Sequence, residues 1–171
     1  MLLQLRILAG ALMGALLFIG IALYLVLSAT GDAGELPPLW VVGAQIAAGG
    51  SMHYLLEATG YRTPAVPAGT PREEAEPRAL AAFQSAMIRR FAFSEAIAIA
   101  SVVVAFVIHQ GQFLAYVSGA FVSLALMIVH VFPWARPIAR TAANLDRDGG
   151  RSYLLEALGL PGLDEGPIQR L

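Results

Sequence analysis

The sequence predicts an all-α membrane protein with four transmembrane helices and with both ends of the chain in the cytoplasm. Three observations lead there. Of the 171 residues, 57% are hydrophobic and only 13% are charged, whereas soluble domains carry about a quarter charged residues. Four apolar stretches approach the roughly 20 residues that a helix needs to cross a hydrocarbon layer of roughly 30 Å. All eleven basic residues are arginine, and they fall in only three of the five segments outside those stretches.

The first stretch, residues 7–27, holds no charge and lies between Arg6 and the turn-forming Thr30-Gly31-Asp32. It is longer than a signal-peptide core and no A-x-A site follows it, so a retained helix is expected. Gly10, Gly14 and Gly20 form a strip of small residues, which in a membrane helix lets a second helix approach closely. Scattered glycine without a packing role is the alternative.

The second stretch, residues 38–56, starts after Pro37 and Pro38, which suit the first turn of a helix. Trp40 is expected at the outer interface. Gly43, Gln45, Gly49 and Gly50 soften its apolar character. That composition points to a helix packed against protein rather than lipid.

The third stretch, residues 90–108, has a helical approach from about Arg78, and the fourth, residues 113–132, is ended by Pro133. The link His109-Gln110-Gly111-Gln112 makes these two an antiparallel hairpin.

Orientation follows from the arginines. One (Arg6) precedes the first helix, five (Arg62, Arg72, Arg78, Arg89, Arg90) lie between the second and third, and five (Arg136, Arg140, Arg147, Arg151, Arg170) follow the fourth. The other two connections hold none, so the arginine-bearing side is expected to be cytoplasmic. A three-helix arrangement without the second stretch breaks this asymmetry. The transmembrane domain is therefore placed at residues 1–137, with a cytoplasmic, proline-rich loop at 60–77 carrying Pro64, Pro67, Pro71 and Pro77. Residues 138–171 form a cytoplasmic tail with a short amphipathic helix around 152–160. That helix lies on the membrane surface or binds a partner; a partly ordered tail is the alternative.

The residues that bear chemistry are few. Net charge is −1, so no basic surface for nucleic acid stands out. There is no cysteine, which removes disulfides, thiolate metal sites, cysteine nucleophiles and lipid anchoring through cysteine. No G-x-S-x-G elbow or phosphate-binding glycine loop is present, so no enzyme is expected. Ser94, Ser101, Ser118 and Ser123 read as hydroxyls that pack helices.

Glu95 is the one acid inside an apolar helix, which makes it a candidate proton or ion site. Its shallow position allows a structural alternative, in which it pairs with Arg89 or Arg90 near the interface. At the same expected depth lie His53, Glu57, Arg89, Arg90 and His130, a possible polar cluster on the cytoplasmic side. Histidine with carboxylate can relay protons or bind a metal. Yet no H-x-x-x-H or H-E-x-x-H spacing is present, so neither metal nor cofactor is expected.

The run Phe93-Ser94-Glu95-Ala96-Ile97-Ala98-Ile99 with Val102 to Phe106 resembles the ion-carrying helix of the proteolipid c subunit of rotary ATP synthases. The order of a glycine-bearing helix, a cytoplasmic loop and then the glutamate helix is similar as well. The resemblance covers about residues 89–133 and implies that Glu95 carries a proton. The short R-Q-P or R-N-P loop of that family is absent here. The A-x-x-E-A arrangement of Ala92 to Ala96 also resembles a broad set of bacterial four-helix integral membrane proteins, a likeness that implies a fold and no activity.

The functional expectation is a multi-pass protein of the cell membrane, in contact with the lipid bilayer. It is expected to be non-enzymatic and to act as an accessory or assembly component of a membrane complex, bound to a membrane-protein partner or to copies of itself. An ion- or proton-coupled protein using Glu95 is the alternative.

Overall fold

The computed structural model describes residues 1–30 and 34–161, and among these the chain is entirely helical and irregular, with no strand. The helices are α1 (Leu2–Leu27), α2 (Leu39–Thr59), α3 (Arg72–Val107), α4 (Gln112–His130), α5 (Ala135–Leu145) and α6 (Leu154–Ala157). The expected turn at Gly31-Asp32 and the last ten residues of the tail, with Arg170, lie outside the described residues.

Three helices, α1, α3 and α4, are long and apolar enough to cross a membrane, which marks a multi-pass membrane protein. Helix α2 lies beside them, with Gly49 against Val122 and Gln45 turned inward. Gln45 is buried; its Nε2 donates to Ser101 Oγ (2.9 Å) and to the Ala115 carbonyl (2.8 Å), and its Oε1 accepts from Ser118 Oγ (2.7 Å). All its capacity but one lone pair is thus used between α2, α3 and α4. Ser123 Oγ accepts from the Ala98 amide at 2.9 Å, tying α4 to α3. Ser101, Ser118 and Ser123 thus bond between helices, whereas Ser94 Oγ donates to the Arg90 carbonyl of its own helix.

Helices α3 and α4 are in tight contact at Gly119. A Cβ there would stand 2.5 Å from Ser101 Cβ, so only glycine admits the Gln45 network. Helix α1 packs antiparallel to α4: Tyr116 of α4 donates to the Leu16 carbonyl at 2.6 Å, and Tyr24 meets Phe113 edge to face. Gln45 lies level with Ser118, and His53 with His130, so α2 and α4 run in the same direction and end together.

Two regions differ from expectation. The proline-rich segment predicted at 60–77 is irregular only to Pro71; α3 starts at Arg72 and contains Pro77. The reason is local. Glu73 and Glu74 sit in the first turn, where acid favours the positive end of the helix dipole. Arg72–Glu76 and Glu74–Arg78 pair at i,i+4, the spacing that stabilises exposed helix. Pro77, the sixth residue of the helix, gives up one backbone bond, the one to the Glu73 carbonyl.

The tail, too, is more ordered than a loose cytoplasmic segment. Helix α5 buries Ile138, Ala142 and Leu145, and α6 buries Leu154 and Leu155. With Leu158 they join Ala75, Ala79 and Phe83 of the α3 extension in one apolar cluster. The apolar face predicted around 152–160 is therefore covered by the chain itself, not by lipid.

Candidate functional site

The polar residues of interest gather where α2 and α4 end and α3 passes between the bundle and the cap formed by α5, α6 and the start of α3. His53 and Glu57 are one turn apart on α2 and so share a face. His130 is the last residue of α4 and is fully buried. The two imidazoles meet, with His53 Nδ1 2.9 Å from His130 Nε2. The other nitrogen of His130, Nδ1, lies 2.9 Å from the Tyr61 hydroxyl and 3.8 Å from Glu57 Oε1.

Tyr61 follows α2 and is buried. Burial pushes its phenol above the usual range, with the nearby Arg90 charge opposing, so it stays protonated and able to donate or accept at neutral pH.

Glu57 is held from its other side by α5. Arg136 and Arg140, four residues apart, both reach its carboxylate, Arg136 at 3.2 Å and Arg140 through a shorter contact with Oε2. Arg140 also stacks over the Tyr61 ring, 4.5 Å from its centroid.

Arg90 is the unusual member. It is a fully buried cation, and among the described residues no carboxylate pairs with it. Its Nε donates to the His130 carbonyl (2.8 Å) and its Nη1 to the Gly60 carbonyl (3.3 Å). Those are the ends of α4 and α2, where carbonyls lack intrahelical partners and the helix dipole is negative. Two helix C-termini thus take the place of a counter-ion, and the Tyr61 ring lies 4.7 Å from the guanidinium carbon. Gly60 has to be small here, because a Cβ would stand 3.2 Å from Arg90 Cγ and 2.7 Å from the Leu56 carbonyl oxygen. Arg90 Nη2 is buried without a hydrogen-bond partner among the described residues.

The structure therefore brings together His53, Glu57, Arg90 and His130 of the expected cluster. It leaves out Arg89, which donates instead to the Arg62 carbonyl at 2.9 Å. It also leaves out Glu95. That side chain is half-buried on α3 and makes no hydrogen bond or ion pair among the described residues, so the expected pairing with Arg89 or Arg90 is not what the structure contains. Both arginines are committed to carbonyls. Tyr61, Arg136 and Arg140 are members that sequence reasoning missed. The signal for the arginines was present, since an i,i+4 pair just after Pro133 sits within reach of any acid ending α2.

Chemically, the site offers imidazole nitrogens and a carboxylate that face one another. Taking one ligand atom from each of His53, Glu57 and His130, all three lie within 4.8 Å of one another. Comparison of the chain with protein-family models, with curated proteins and with solved structures finds no match.

Proposed function

We propose that the chain is a four-span protein of the cell membrane, N-in and C-in, without catalytic activity of its own. In this reading it is an accessory or assembly component of a membrane complex and docks a transmembrane helix of a partner along α1. The carrying observation is the fate of the glycines. Gly49 and Gly119 are consumed by internal packing, since a Cβ on either would collide with Val122 or Ser101. Gly10 and Gly14 meet nothing within 4 Å. They line, with Gly20, Tyr24, Phe121 and others, an open apolar groove of about 720 Å³ between α1 and α4. Only 17% of the most apolar stretch of α1 is buried, against 39% for α3 and for α4. Backbone accessible through glycine is what close helix association in lipid uses. The four-span topology is supported by α2 running parallel to α4 at matching depth, and by the clustering of arginines beyond the α2 and α4 ends.

The test is mild-detergent purification of the tagged protein from native membranes, with mass spectrometry of what accompanies it. A stoichiometric membrane partner is expected. It should be lost in Gly14→Leu and kept in Gly43→Leu, a matched change on α2 where the glycine also meets nothing within 4 Å. A protein that emerges alone, or a partner indifferent to Gly14→Leu, overturns this reading; self-assembly through the same glycine would make the partner a second copy.

One observation favours a second reading. Glu95 makes no hydrogen bond or ion pair among the described residues and lies in a helix of membrane-spanning character, and intramembrane acids commonly mark ion pathways. If it does so here, Glu95→Gln abolishes proton flux in liposomes; in the accessory reading the same change is silent.

A further inference from the structure

We infer that His53, Glu57 and His130 form a binding site for a transition-metal ion of the zinc type. The inference stands apart from the docking reading above, because it rests on the other end of the bundle and on different residues.

The geometry is close to what such an ion needs. Two imidazole nitrogens bound to zinc at 2.0–2.1 Å in tetrahedral arrangement stand about 3.3 Å apart. His53 Nδ1 and His130 Nε2 are 2.9 Å apart, so a small outward movement of the exposed His53 ring admits the ion between them. Glu57 supplies the third donor. A carboxylate has about four lone-pair positions, so it can keep Arg136 and Arg140 on one side and face the ion on the other. Water completes the coordination, an arrangement of three protein ligands and one open position.

The surroundings match what supports a metal-bound histidine. Such a ring usually gives its second N–H to an oxygen, which fixes tautomer and orientation. Nδ1 of His130 has that oxygen in Tyr61 at 2.9 Å. Arg90 holds the backbone of the same residue through its carbonyl, so the ring rests on a braced helix end. No net proton needs to be released: with the ion bound, His130 keeps its hydrogen on Nδ1 towards Tyr61, and the His53 hydrogen moves to Nε2. His53 is exposed and Glu57 half-buried, which provides a path of entry.

Charge selects the class of ion. Arg136 and Arg140 pair with the site's carboxylate, and Arg90 adds a third positive charge at the His130 carbonyl, so the field repels cations held by charge alone. Calcium and magnesium, which require several oxygens, are disfavoured. An ion that forms directional bonds to imidazole gains from both histidines, and that gain offsets the repulsion.

The experiment uses tag-free, full-length protein in detergent, stripped with chelator and titrated calorimetrically with zinc, then with calcium and magnesium. One zinc per chain is expected, with no saturable binding of the other two. His53→Ala, a surface change, should weaken zinc at least tenfold. Tyr61→Phe should weaken it by about tenfold, in the range for a lost supporting hydrogen bond. His109→Ala, the remaining histidine, exposed and distant in sequence, should change nothing. Cobalt in place of zinc should give the visible absorption of a four-coordinate nitrogen and oxygen site, absent in His53→Ala. The proposal fails if wild-type protein binds no zinc, or if binding is equal in His53→Ala and His109→Ala while both variants keep the wild-type unfolding temperature.

Discussion

The bundle holds two buried polar nodes, and they are built on opposite terms. The one around Gln45 is neutral. Its amide is shared among Ser101, Ser118 and the Ala115 carbonyl, and each hydroxyl has a second partner on its own helix. The one around His130 is charged. It holds three arginines against one glutamate, a guanidinium that leans on helix ends, and a donor with no partner. A node that spends its capacity internally fixes the register of helices. A node that leaves capacity over can hold something else, and its two facing imidazoles are where that surplus is most usable. The comparison also separates the helices: α2, α3 and α4 are joined at both nodes, while α1 enters neither and is attached mainly by Tyr116 and apolar contact.

The largest effect is expected at the charged node. Arg90→Ala removes the donors to two helix-end carbonyls and leaves a cavity under Tyr61 and Phe83. A loss of about 2–4 kcal/mol is expected, with the cap loop before α3 becoming sensitive to protease first. Thermal unfolding in detergent with limited proteolysis measures both. An unchanged or raised stability would mean that burying the cation costs as much as its contacts return, and the contrast between the nodes would lose its basis.

The neutral node should respond less. Gln45→Leu removes three hydrogen bonds, but Ser101 and Ser118 keep their bonds to the Ile97 and Ala115 carbonyls. Interhelical polar contacts in membranes average well under 2 kcal/mol, so a loss of about 1 kcal/mol is expected in the same unfolding assay. A loss larger than that of Arg90→Ala would reverse the ranking of the two nodes.

The smallest effect lies outside both, in the cap. Burial pushes the Glu156 carboxyl up, but the hydrogen bond from Arg151, together with its charge, outweighs this and holds it below the usual value. A depressed carboxylate contributes stability above its unfolded pKa of about 4.3. That contribution is lost as pH falls through the folded value. The pair is largely solvated, so under about 1 kcal/mol is at stake. Unfolding followed from pH 6 down to pH 3 in wild type and Glu156→Gln should converge at the acid end. If the two differ by the same amount throughout, the carboxylate charge is not what matters there.

The main helices were legible from residue type alone, because an unbroken apolar run of about 20 residues satisfies its own backbone in lipid only as a helix. So was the buried role of Gln45, since an amide among glycines on a weakly apolar helix has to meet protein. The start of α3 at Arg72 was less legible: prolines at 64, 67, 71 and 77 mask the Glu73, Glu74 and Arg78 pattern that builds the first turns. The site was half legible. Depth along the helices brought His53, Glu57, Arg90 and His130 to one level, but depth carries no information about rotation. Arg89 and Arg90 are adjacent in sequence and point about 100° apart on the helix, so one is buried and the other reaches outward. Glu95 shares the third helix with both arginines and pairs with neither.

What the sequence determined by itself is therefore a matter of composition and one-dimensional order: apolar length, helical class and the segregation of charge to particular segments. These depend on each residue's own transfer energy and need no partner. The tertiary structure alone decided which residues meet. That Tyr61 supports His130, that α5 returns to clasp Glu57, and that two helix ends hold Arg90 depend on how four helices turn and cross. That angle is set by shape, at positions such as Gly119 and Gly60 where a single methyl group would not fit.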